Sequence, residues 1–282
     1  MKKIAAITMA RNDAFFLKKW VSYYGKELGR ENLFIYLDGL DQENPPESEG
    51  VNITKVEKIK GQVVSAEKAR LKFLSDRAAE LLTDYDLIIG CDADEFLIVD
   101  PKLEMSLRAY LSTLNIQTSV SGLGLDVGQN LNEEKPIVED ENFLSQRSYA
   151  FASTRYTKPV VVAQPLTWGA GFHRIKGHNF HIAKHLYLIH LGCFDDNMLM
   201  ARFSDKDRMA AGWGKHIEKR RRTIVEVTER KAIELDQISN KLRLFQTFCR
   251  KPYAWNKPSM AWWKVVVKLP ERFKNIYNMG KT

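Results

Sequence analysis

The stretch Thr83 to Pro101, TDYDLIIGCDADEFLIVDP, decides the fold. Its first apolar run, Leu87-Ile88-Ile89, is short, continuous and flanked by polar residues, as a parallel strand buried on both faces is. The run ends in Cys91-Asp92-Ala93-Asp94-Glu95-Phe96, and a second apolar run, Leu97-Ile98-Val99, follows. The acidic cluster therefore falls where a buried strand should end, and open α/β sheets bind ligands outside the carboxyl ends of their strands. In an extended backbone Asp92 and Asp94 would point to one side. Like charges about 4 Å apart at an effective dielectric near 20 cost roughly 4 kcal/mol per pair. The cluster thus calls for a cation, and hard carboxylate oxygens suit Mg2+ or Mn2+. A solvated acidic turn is the plainer alternative, and the apolar flanks argue against it.

The flanking chain alternates strands and helices. Lys3 to Ala10 reads as a strand, and Arg11-Asn12-Asp13 opens a helix with Asn12 or Asp13 as its cap. Phe16, Trp20 and Tyr23 fall on one face of that helix, beside Leu17 and Tyr24, as core residues would. Leu33 to Leu37 is a second strand ending at Asp38. Leu40 to Gly50 is a polar loop, and Val51 to Ile59 is a third strand. Ser65 to Leu82 is a helix carrying Lys68, Arg70, Lys72 and Arg77. This β-α-β-β-α-β order predicts an α/β fold with a mostly parallel, doubly wound sheet. The turn after the first strand lacks the glycine fingerprint of a dinucleotide site.

The second half is less regular. Pro101 to Leu114 reads as a helix, Val120 to Val127 and Lys158 to Gln164 as strands, and Gly128 to Asn142 as a polar loop. His178, His181 and His185 have a spacing that would place them on one helical face. No cysteine pair accompanies them, which argues against structural zinc. Ile217 to Phe248 reads as helix.

The 282 residues suffice for one large domain with an appendage, and the three cysteines share no C-x-x-C spacing, as expected in a reducing compartment. The apolar run Ile4 to Ala10 is too short for a signal peptide or membrane span, so a cytoplasmic protein is expected. The net charge of +8 is uneven: residues 201–282 hold 20 Lys/Arg against 8 Asp/Glu. The boundaries read as a catalytic domain over 1–215, with a nucleotide half at 1–100 and an acceptor half at 101–215, then a basic helical extension over 216–282. Lys215 to Arg222 (KHIEKRRR), with Trp255, Trp262 and Trp263 among Lys251, Lys257, Lys264 and Lys268, fits peripheral docking on the inner face of the membrane or on a lipid-linked acceptor.

The start Thr8-Met9-Ala10-Arg11-Asn12-Asp13, the second-strand Asp38, the Cys91 to Phe96 motif, Gly171-Phe172-His173 and Leu188-Ile189-His190-Leu191 occur in order. Together they resemble the family 2 type of bacterial glycosyltransferases, with the nucleotide-sugar-binding GT-A fold, over about residues 3–200. The resemblance implies transfer of a sugar, with inversion, from a nucleotide-sugar donor (a UDP-sugar favoured) to a saccharide or lipid-linked acceptor in cell-surface polysaccharide synthesis. It implies Mn2+ or Mg2+ held by Asp92, Asp94 and His190, with His173 the second choice of histidine. Arg11, Asn12, Asp13, Asp38, Lys68 and Asp92 would contact the nucleotide. The general base would be Asp140, in the Glu139-Asp140 pair, or Asp126. Trp168, His173, Arg147 and Lys158 would contact the acceptor or phosphate oxygens. A nucleotidyltransferase would show a glycine-rich phosphate loop after the first strand. A non-enzymatic nucleic-acid or anionic-surface binder would rest on the basic tail alone; no nucleic-acid module is recognisable, and no nucleic-acid partner is expected.

Overall fold

The computed structural model of the chain describes residues 1–139, 141–176, 181–201, 204, 209–210, 214–249 (backbone only over 214–220) and 263–276. Four parallel strands form its first half: β1 (Ile4–Ala10), β2 (Leu33–Asp38), β3 (Asn52–Val56) and β4 (Leu87–Gly90). They lie side by side in the order β3-β2-β1-β4. β1, β2 and β4 are built mainly from Ile, Leu and Ala, with Phe34 and Tyr36 in β2, because a central parallel strand is covered on both faces. β3 ends at Val56, short of the expected Ile59, because it is the exposed edge of the sheet and carries Lys55 outward.

Helix α1 (Ala14–Leu28) carries the chain from β1 outward to β2, and α2 (Val63–Leu81) carries it back across to β4. Right-handed crossovers in opposite directions place the two helices on opposite faces of the sheet. The strand order therefore reverses between β1 and β4. The aromatic face of α1 is buried as expected, with Phe16, Leu17, Trp20, Tyr23 and Tyr24 all in the core.

The second half makes the sheet mixed. β5 (Glu95–Val99) turns back and pairs antiparallel with β9 (Ile182–Cys193). β6 (Ser119–Gly128) runs parallel to β9 and antiparallel to β7 (Tyr149–Ala152) and β8 (Val161–Val162). β8 is antiparallel to β4, so β4, β6 and β9 all run the same way and end on the same rim. Pro101 to Leu114 is a one-turn 3-10 helix, Pro101–Leu103, and a short helix α3 (Leu107–Thr113) rather than one helix. The expected helical face of histidines is not formed: His185 lies within β9, and His178 lies outside the described residues.

The C-terminal segment is built into the fold rather than appended to it. After the short helices α4 (Phe143–Gln146) and α5 (Asp196–Ala201), helix α6 (Gly214–Glu229) is followed by β10 (Ile233–Glu234) and α7 (Leu235–Phe248). β11 (Val266–Lys268) then pairs with β7 inside the sheet, and Leu235, Leu242, Val267 and Phe273 are core residues. The chain between the two helices closes a β bridge to β11, so Ile217 to Phe248 is not one helix. Trp263 packs against Phe245 with ring centroids 5.0 Å apart, while Trp255, Trp262, Lys251 and Lys257 lie outside the described residues. Among the described residues no helix is long and apolar enough to cross a membrane.

Candidate metal and nucleotide site

The C-terminal ends of β1, β2 and β4 share one rim, so the topology places Arg11–Asp13, Asp38 and the 92–95 cluster along it, at the point where the strand order reverses. The cluster is not extended. After Cys91 the chain turns, with Glu95 N–H donating to the Asp92 carbonyl at 3.0 Å, and β5 begins at Glu95. Asp92 and Asp94 therefore have different partners, and the expectation that both face one way fails at this turn.

Asp92 accepts from Arg70 Nη2 at 2.8 Å and from Lys158 Nζ at 3.2 Å. Lys158 also donates to Glu95 Oε1. Arg70 is held in turn by Glu67, with Nε and Nη2 each 2.9 Å from its carboxylate. Burial pushes the Asp92 carboxyl up, but Lys158 and Arg70 outweigh it and hold it well below the usual range. Burial pushes Glu95 up to about 7, partly offset by Lys158. Lys158 itself is held charged: burial disfavours the ammonium, but Glu95 and Asp92 together outweigh that. One ammonium, on a side chain 2% exposed, thus serves two carboxylates. Two protein cations thus already neutralise Asp92, which is not one of the groups whose ligand atoms converge on a common point.

Asp94, Glu95 and His190 do converge, with one ligand atom from each within 4.8 Å of the others. The register accounts for this. Glu95 on β5 and Asp126 on β6 are the direct cross-strand partners of His190 on β9, so the three side chains rise on one face. His190 Nδ1 lies 2.6 Å from Asp126 Oδ1, and because a carboxylate only accepts, Nδ1 carries the proton. Thr223 Oγ1 donates to the other oxygen of Asp126. Tyr156 stacks on the imidazole at 3.8 Å, with the rings 14° from parallel.

Nε2 of His190 faces Asp94 Oδ2 at 3.4 Å. In the neutral ring this sets a lone pair against a carboxylate oxygen, which requires a cation: a second proton or a metal ion. Burial alone would lower the imidazole pKa, but Asp94 and Asp126 outweigh it and raise it. The gap is also kept open by Gly192, where a Cβ would fall 2.5 Å from His190 Nε2 and 2.8 Å from Asp94 Oδ2. A carboxylate and an imidazole whose far nitrogen is fixed by a second carboxylate form the donor set that divalent ions take. The residues fit a metal.

Other expected residues have different places. Asp126 has both oxygens engaged behind His190, so it orients the imidazole and does not face an acceptor as a base. Asp140 lies outside the described residues. Arg147, 1% exposed, donates to Asp195 at 3.0 Å, to the Phe194 carbonyl and to the Lys135 carbonyl at 2.9 Å; it is buried and ties loops together. Trp168 is 3% exposed, its indole donating to the Pro159 carbonyl at 2.9 Å, so its ring is core and not a sugar platform. Lys158 is committed to Asp92 and Glu95. His173 is partly exposed, with Nδ1 2.8 Å from the Arg155 carbonyl, and burial and nearby Lys158 push its pKa down to about 3.

On the nucleotide rim, Arg11 pairs with both oxygens of Asp41 at 2.8 Å and donates to the Asp38 carbonyl at 2.8 Å. Asn12, at φ 52°, exchanges hydrogen bonds with the Gln42 side chain at 2.8 and 3.0 Å. Asp13 precedes α1 without a side-chain cap bond. Asp38 Oδ1 accepts from Ile59 N–H at 2.7 Å. Lys68 is exposed on α2 and Arg70 is the residue that reaches the cluster. Helical phase does not separate them: Lys68 and Arg70 lie on opposite flanks of the buried face of α2, marked by Leu71, Leu74, Ser75 and Ala78, and it is the Arg70 flank that meets the cluster. Thr223 and Tyr156 carry no local signal, being far in sequence from the partners they touch.

No family model matches the chain, and no curated protein matches it.

Proposed function

We propose that the protein is an inverting, metal-dependent glycosyltransferase using a nucleotide-sugar donor. The observation that carries the reading is the His190 Nε2–Asp94 Oδ2 gap of 3.4 Å, placed at the reversal point of a parallel sheet. That is where a nucleotide binds in an open α/β sheet. The order of motifs that resembles family 2 glycosyltransferases supports the sugar-transfer part.

Asp94 and His190, with Glu95 beside them, would hold Mg2+ or Mn2+, which supplies Lewis-acid neutralisation of a departing diphosphate. The protein's own groups do the rest. Arg70 and Lys158 keep Asp92 ionised at the strand end. The Arg11–Asp13 turn and Asp38 offer hydrogen-bonding groups to base and ribose. His173, neutral and with Nδ1 engaged, presents Nε2 as an acceptor for a sugar hydroxyl; a pKa of about 3 makes it a feeble base. The resemblance to family 2 glycosyltransferases would give proton removal from the acceptor to Asp140, in the Glu139-Asp140 pair. A nucleotidyltransferase would need glycines after β1, and the turn there is Arg11-Asn12-Asp13.

Thermal-shift screening of UDP-, GDP- and CMP-sugars with and without Mn2+, followed by assay of released UDP, GDP or CMP, tests the reading. Stabilisation that needs both sugar nucleotide and metal, lost in Asp94→Asn, is expected. Turnover that survives excess EDTA refutes metal dependence, and release of a sugar 1-phosphate in place of the nucleoside diphosphate refutes sugar transfer in favour of nucleotidyl transfer.

A further inference from the structure

We infer that Thr223 of α6 and Asp126 of β6 are positioning residues that lock the His190 imidazole with Nε2 aimed at Asp94. The inference deepens the metal-dependent reading above and extends the site into the C-terminal segment.

Two restraints act on one ring. Asp126 Oδ1 accepts from Nδ1 at 2.6 Å and Tyr156 covers one face at 3.8 Å, while Gly192 leaves the Nε2 side open. Asp126 is 5% exposed, the last torsion of an Asp side chain is broad, and a buried second oxygen needs a partner of its own. Thr223 holds it. Thr223 is 7% exposed, and α6 approaches β6 closely enough that a Cβ on Gly128 would lie 3.1 Å from the Thr223 methyl. The helix is thus seated on the sheet at the position that lets its hydroxyl reach the carboxylate. Such outer partners of a ligating histidine typically account for a factor of roughly 10 to 100 in metal affinity.

The test uses the full chain and three variants: Thr223→Val, Thr223→Ser and Asp126→Asn. Mn2+ affinity is read from the electron paramagnetic resonance signal of the free ion, and the His190 Nδ1–H from long-range 15N–1H spectra of the metal-free protein. Thermal melting of each variant checks that it is folded. Wild type and Thr223→Ser should show an exchange-protected His190 Nδ1–H and equal Mn2+ affinity. Thr223→Val should weaken Mn2+ roughly tenfold and expose that proton to exchange, and Asp126→Asn should abolish the protected signal and weaken Mn2+ up to about 100-fold. A folded Thr223→Val with wild-type proton protection and wild-type affinity overturns the inference. If the wild type binds no Mn2+, the proposed function fails, while the proton-protection arm still decides whether Thr223 and Asp126 lock the ring.

Discussion

Replacing Gly192 by alanine adds one methyl group in the gap between His190 and Asp94. The Cβ would lie 2.5 Å from both Cε1 and Nε2 of His190 and 2.8 Å from Asp94 Oδ2, all inside contact distance. Gly192 is not among the residues of positive φ, so alanine fits the strand backbone without strain. The restricted unfolded chain then favours the variant by about 0.4–1 kcal/mol. Overpacking in a tight core costs about 1–3 kcal/mol. The difference runs from about 0 to about 2.6 kcal/mol of net destabilisation, a fall of at most several degrees in melting temperature for a chain of this size. Metal affinity should respond far more strongly. The methyl occupies the space an ion would share with both ligand atoms, and displacing either one should cost at least about 100-fold, or roughly 2.7 kcal/mol. The assay is a Mn2+ titration by electron paramagnetic resonance beside a thermal melt. A folded Gly192→Ala protein that binds Mn2+ as tightly as wild type would show that the gap is not the ion site.

Lys158→Met should strip the shared cation from Asp92 and Glu95 and destabilise the protein by about 3–5 kcal/mol, as breaking a fully buried pair does; urea unfolding measures it. Arg272→Met should remove the guanidinium that contacts Asp100 at 2.6 and 3.0 Å, at a cost on the order of 2–3 kcal/mol, less than for a buried pair because Arg272 stays 24% exposed. Burial pushes the Asp100 carboxyl up, but Arg272 and the Lys102 N–H outweigh it and lower it. A lowered folded pKa gives stability that is present above the unfolded value near 4 and lost as pH falls through the folded one. The Arg272→Met deficit should therefore shrink below about pH 4, and a deficit that is constant with pH would contradict the pairing. Truncation after Phe248 removes β11 and Arg272 together, so the shortened chain should lose its cooperative circular-dichroism melt; a stable fragment would show that the C-terminal segment is dispensable.

The parallel half of the sheet is legible in the amino-acid order alone. The apolar runs of β1 (broken at Thr8), β2 and β4 and the amphipathic α1 are local patterns, and local patterns are enough where a strand is buried on both faces. The amino-acid order also located the acidic cluster at a strand end and singled out His190 within an apolar run. Only the tertiary structure decided what those residues do. The turn after Cys91 separates Asp92 from Asp94, and it depends on β5 leaving to pair with β9. Asp126 turns out to stand behind His190 because β6 and β9 are in register. The cations that answer the cluster, Arg70 and Lys158, come from 22 and 66 residues away. Thr223 arrives from 97 residues away, and β11 completes a sheet that composition alone marks as an extension. These contacts arise from cross-strand register and long-range packing, and neither leaves a periodicity in the chain that forms it.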